Sequence, residues 1–184
     1  MRRTMIPTAA IDYLKTRKRL WLKALIAFVP ALATGLVLCL ATPKNTLVIS
    51  DVFSDFVNVQ ISAVAILISF SIAIITILVS ADNANISRLK EKHSKDCKPL
   101  NRTPLSLFQV LLSNISYNVL IEVLYLGILI ALIFVRLYIA DVGCKILMAI
   151  CIFFVVHILH ILLESVGQMY LTFWKHEDDS AKNT

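Results

Sequence analysis

Glu122, His157, His160 and Glu164 stand inside otherwise apolar stretches of this chain. The last three form an H-x2-H-x3-E pattern, which on a helix places them within about 60° of one another. Asn114, Asn118, Glu122 and Tyr125 share a second arc of about 80°. Three kinds of chemistry suit such a set. A histidine beside a carboxylate relays protons or senses pH, because imidazole changes charge near neutrality. Imidazole and carboxylate also ligate transition metals, but the Glu-x-x-His pattern of di-iron bundles is missing, and no metal or other cofactor is expected. The plainest role is a structural polar network that locks two helices together, since ionisable groups within a bilayer turn inward and find partners. That network is the first expectation, and the other two roles stay open.

The elements that must position these residues are membrane spans. Of 184 residues, 58% are hydrophobic and 16% charged. The mean hydropathy is +0.79, well outside the composition of soluble domains. Apolar runs of about 20 residues predict spans at about 24–41, 61–81, 119–138 and 146–166. The expected fold is therefore all-α, a polytopic membrane protein of four transmembrane helices forming a single domain over residues 1–184. The first span reads as an uncleaved signal anchor, because a long basic segment precedes it and Lys44 and Asn45 follow it. Pro30 gives it a place to kink. A tight turn around Gly143 makes helices three and four an antiparallel hairpin. In that hairpin Glu122 is expected at the depth of Glu164.

Orientation follows the lysines and arginines, because positive flanks resist translocation. Fifteen of the 18 lie in three segments: the N-terminal stretch from Arg2 to Lys23, the middle loop and the C-terminal tail. Lys44, Arg136 and Lys145 are the exceptions. Both termini and the middle loop are thus expected in the cytoplasm. The loop, residues 82–118, carries Arg88, Lys90, Lys92, Lys95, Lys98 and Arg102. Its first part is expected to prolong the second helix as an amphipathic extension, with Lys98-Pro99 ending it. Thr103 as N-cap and Pro104 at the first helical position restart the chain. The net charge of +6 points to anionic lipid more than to nucleic acid, which the basic strip lacks the interleaved aromatics to bind.

On the second span, Ser62, Ala65, Ser69, Ala73, Thr76 and Ser80 fall in one arc of about 80°. Small and hydroxyl side chains permit close helix contact where lipid supplies no hydrophobic drive. Ala27, Ala31, Gly35 and Cys39 make a similar line on the first span. The first expectation is that these two lines pack on each other within one chain. The sharper one is a seam or hydroxyl-lined pore between copies, and a homo-oligomer is expected. The four cysteines include no C-x-x-C pair, which argues against a four-helix disulfide oxidoreductase of this size. Four free thiols are expected, with a Cys39–Cys144 bridge allowed by depth alone. No nucleophile elbow and no long loop is present, so no catalytic residue is assigned and an enzyme is not expected.

A charged segment from Ser80 to Lys92, a third span with Glu122, and a last span with Val156-His157-Ile158-Leu159-His160 and Met169-Tyr170-Leu171 follow the basic N-terminus. On these residues the layout resembles the small four-span membrane components of bacterial anti-phage systems, such as the Kiwa membrane subunit KwaA and the phage-exclusion protein RexB. The resemblance implies a multi-pass protein of the bacterial inner membrane that acts during infection. It would sense a disturbance, hold a cytoplasmic protein partner or alter ion permeability. The alternative is a small proton- or ion-coupled transporter or channel using the His/Glu cluster.

Overall fold

A computed structural model describes residues 13–17, 20–40, 48–80, 84–94, 97 and 104–181. The helices are α1 (Leu20–Leu40), α2 (Ile49–Ser80), α3 (Ala84–Glu91), α4 (Leu107–Val135) and α5 (Asp141–Ala181), with a 3-10 turn at Arg136–Tyr138 between the last two. Among the described residues the only β-type pairings are two isolated bridges. Four stretches are long and apolar enough to cross a membrane: Leu20–Leu40, Ile49–Ser80, Leu107–Tyr138 and Asp141–Tyr170.

Helix α2 begins well before the predicted span, at Ile49, and takes in most of the stretch between the first two predicted spans, residues 42–60. Phe53, Val57 and Val64 explain this, because spacings of four and seven put all three on one buried face. The start of α4 also differs from its predicted position. Thr103 lies outside the described residues, and the helix starts at a reciprocal box three residues on. The Ser106 backbone N–H donates to Gln109 Oε1 at 3.0 Å, and the Gln109 N–H donates to Ser106 Oγ at 3.2 Å.

The middle loop folds back on itself. The short α3 is amphipathic, with Ile86 and Leu89 buried, and Lys90 lies 5.4 Å from the Phe108 ring centroid. The chain then returns alongside it, with the Ser94 N–H donating to the Leu105 carbonyl (2.9 Å) and the Leu107 N–H to the Lys92 carbonyl (2.8 Å). Lys92 is exposed. The side chains of Arg88, Lys95, Lys98 and Arg102 lie outside the described residues.

The chain divides into two compact units. The first comprises residues 1–20, 71–120 and 161–184. Its apolar interior includes Leu78, Leu89, Leu111, Ile115 and Ile161. The second comprises Trp21–Phe70 and Ile121–His160. Its core joins Phe53, Val57 and Val64 of α2 to Tyr125, Leu129 and Leu132 of α4 and to Cys144, Met148, Cys151 and Ile158 of α5.

Within the second unit, the small-residue line of α1 meets α5. Ala27 and Ala31 are buried, and a Cβ built on Gly35 would stand 3.3 Å from the Ala149 Cβ. The expected pairing of this line with the α2 stripe is therefore not formed. Ser62, Ala65, Ser69, Ala73, Thr76 and Ser80 are all exposed on the single chain. The buried residues of α2 lie on the opposite side of the helix, so the stripe faces away from the core. Because Gly35 permits the α1–α5 approach, Gly35→Leu is expected to cost about 1–3 kcal/mol through overpacking. Thermal unfolding in detergent measures it.

At one end of the same unit, Arg136 Nη2 lies 3.3 Å from Asp51 Oδ1, and the Asp51 side chain is 69% exposed. Such a pair is solvated and contributes little. Arg136→Gln is expected to change stability by less than about 0.5 kcal/mol, within the error of the same unfolding assay.

Candidate functional site

The densest polar cluster forms around Arg17, a residue whose role in the sequence is only to add to the N-terminal positive charge. A helical turn at residues 13–16 precedes it, closed by the Arg17 N–H donating to the Tyr13 carbonyl at 3.3 Å. The turn brings Tyr13 and Arg17 to the same side, with the guanidinium 5.4 Å from the Tyr13 ring centroid. Both residues are almost wholly buried.

Four side chains close a ring. Arg17 Nη2 donates to Asn114 Oδ1. Asn114 Nδ2 donates to Gln168 Oε1 at 3.5 Å, and Gln168 Nε2 donates to Glu164 Oε1 at 3.2 Å. Glu164 Oε1 completes the circuit, 3.6 Å from Arg17 Nη1. Gln168 and Glu164 are one turn apart on α5, so Gln168 links the Asn114 amide to the carboxylate that pairs with the guanidinium. Arg17 also donates through Nη1 to Cys97 Sγ at 3.5 Å, beside an isolated bridge between residues 17 and 97. Asn114 and Tyr117 lie on one face of α4, and the Tyr117 ring stacks on Tyr13 at 4.1 Å and 11°.

Arginine suits this position because its planar fork makes several directed bonds and cannot lose its charge. Burial pushes the Tyr13 phenol up, and the neighbouring Arg17 offsets only part of that. Tyr13 is therefore a neutral stacking partner throughout the physiological range. The cluster ties together the N-terminal arm, the middle loop at Cys97, α4 and α5.

The residues singled out from the sequence separate into three groups. Asn114 and Glu164 belong to the Arg17 ring. Asn118 is fully buried and donates to Ser71 Oγ of α2 at 3.5 Å. Glu122, His157 and His160 belong to the second unit. Glu122 is fully buried, and the His157 ring lies parallel to Phe153 at 6.0 Å.

Asn114 and Glu164 are joined through Gln168 within the first unit, whereas Glu122 lies in the second. The Tyr125 hydroxyl donates to the Cys151 carbonyl at 3.1 Å, and its ring stacks on Phe154 at 5.3 Å. One turn back along α4 from Tyr125 is Glu122, and one turn on along α5 from Phe154 is His157. The register thus levels Glu122 with His157 in the second unit.

Among the described residues no three His, Cys, Asp or Glu side chains are grouped to hold a metal ion. All four cysteines are free, with Cys39 exposed and Cys144 buried. Sequence reasoning missed Arg17, Tyr13, Gln168, Cys97 and Ser71. The nearest signal was the i, i+4 pair Tyr13/Arg17 just ahead of the first span. Scanned against protein families, curated proteins and solved structures, the chain gives no match.

Proposed function

We propose that this chain is a four-span inner-membrane subunit of a bacterial anti-phage defence system, acting as a sensor, scaffold or effector with a cytoplasmic protein partner. Both termini and the middle loop face the cytoplasm, and α4 and α5 form a tight antiparallel hairpin. The observation that carries this reading is the Arg17 ring. It ties the N-terminal arm and the middle loop to two spanning helices through one set of buried polar bonds. A partner that displaces the loop then acts on the helices directly, and a disturbance of the helices is felt at the loop. The layout resemblance supports the same assignment. The test is a pulldown of tagged protein from its native host in mild detergent, with mass spectrometry of what remains bound. A cytoplasmic protein recovered with the wild type and lost when residues 84–94 are replaced by a Gly/Ser linker supports the proposal, whereas recovery of none removes it.

In this reading the chain forms a homo-oligomer through the exposed stripe of α2. The hydroxyls of Ser62, Ser69 and Thr76 donate to carbonyls one turn back in their own helix, at 3.2, 3.0 and 2.9 Å, and Ser80 does the same. With these donors satisfied, the stripe acts as a smooth surface for close van der Waals approach, not as the lining of a pore. Ala65→Leu with Ala73→Leu is expected to shift the mass measured in nanodiscs from oligomer to monomer. An unchanged mass assigns the seam elsewhere.

A second reading, proton- or ion-coupled transport, is favoured by Glu122, a fully buried carboxyl that the register levels with His157. Flux into proteoliposomes that falls at least about tenfold with Glu122→Gln supports it. Absence of flux at every pH removes it.

A further inference from the structure

Within the second unit, residues of α1 and α5 line an apolar groove of about 550 Å³. Its floor is the close contact of Gly35 with Ala149, and Phe28 and Phe153 line it at one end. At the other end it is lined by Lys145, a half-buried lysine that forms no ion pair with any described residue. Every other lining residue is apolar, a glycine or a cysteine.

Dimensions narrow the choice of occupant. The lining runs from Phe28 to Cys39 on α1, about 16 Å along a helix axis, or half the hydrocarbon thickness of a bilayer. An extended acyl chain of that length is accommodated by a groove volume of about 550 Å³. The single charge at the groove's end is positive, which complements a phosphate.

We propose that this groove is a phospholipid-binding site: one acyl chain of an anionic glycerophospholipid lies between α1 and α5, with its phosphate against the Lys145 ammonium. The site is separate from the Arg17 ring and from the α2 stripe, and its ligand is taken from one leaflet of the surrounding bilayer.

Native mass spectrometry of full-length protein, after exchange into vesicles containing equal phosphatidylglycerol and phosphatidylcholine, tests the assignment. The wild type should retain one phosphatidylglycerol per chain in preference to phosphatidylcholine. Lys145→Gln should reduce that preference about fivefold, the value of one surface lysine against an anionic headgroup. Ile150→Trp, which fills the groove, should lower retention of either lipid. A diazirine-bearing phosphatidylglycerol added to wild-type protein gives a readout independent of the variants' folding, and its label should fall on residues 28–39 and 145–153. Equal retention in all three proteins, no headgroup preference in the wild type, or label confined to other helices would overturn the proposal.

Discussion

Arg17→Ala should lower the unfolding free energy of the purified protein by about 2–3 kcal/mol, the largest loss from any single polar change in the chain. Removing the guanidinium strips Asn114, Glu164 and Cys97 of a shared donor at once. Breaking a buried pair from one side ordinarily costs about 3–5 kcal/mol. The Glu164 side chain is 22% exposed, so water recovers part of that, which sets the lower value. Lysine should not rescue, because an ammonium cannot reach Asn114, Glu164 and Cys97 together. The informative comparison is the double variant Arg17→Met with Glu164→Gln. It removes both charges and should be less damaging than Arg17→Met alone, giving a coupling of at least about 1 kcal/mol in a double-mutant cycle. Strict additivity would mean that the ring is a crowded surface and not a coupled unit.

Tyr125→Ala should come next, at about 2–3 kcal/mol. The ring is almost fully buried at the heart of the second unit, stacked on Phe154 and bonded to the Cys151 carbonyl. In a water-soluble core an aromatic truncation costs about 3–5 kcal/mol, combining transfer from water with the cavity left behind. In a membrane the separated helices are already in an apolar solvent, so most of the transfer contribution falls away. The cavity and the lost hydrogen bond remain. Tyr125→Phe isolates the hydrogen bond and should cost about 0.6 kcal/mol, the average measured between membrane helices. If Tyr125→Ala proved as mild as Tyr125→Phe, the α4–α5 contact would be looser than its geometry.

The parts of the fold legible from the sequence are those set by local composition. Four apolar runs stand out because no soluble core needs such length, and four helices long enough to cross a membrane occur at those places. The buried arc of Asn114, Asn118, Glu122 and Tyr125 was visible because it follows from helical period alone. The Ser106–Gln109 box was also present as a Ser-x-x-Gln spacing, but Thr103-Pro104 offered a rival start just before it. What stayed hidden depends on tertiary register. Counting positive charges treats every arginine as a solvated topology marker, so nothing distinguished Arg17 from Lys15 until the turn at residues 13–16 aimed it inward. The depth of Glu122 was aligned on Glu164 through a turn of guessed length, and the two carboxylates fall in different compact units. Within the second unit, the Tyr125 contacts with Cys151 and Phe154 level Glu122 with His157. Nothing in the H-x2-H-x3-E pattern could reveal that its one carboxylate, Glu164, turns to an arm about 150 residues away in sequence.

Phage plating on a deletion strain complemented with the wild type, Arg17→Ala or Glu122→Gln weighs the proposed role against its rival. Deletion should raise plating efficiency, wild-type protein should restore protection, Glu122→Gln should protect as the wild type does, and Arg17→Ala, expressed to the same level, should not. Plating that is the same with and without the chain would contradict a role in defence. It would leave the buried Glu122 and His157 region, and transport through it, as the function to pursue.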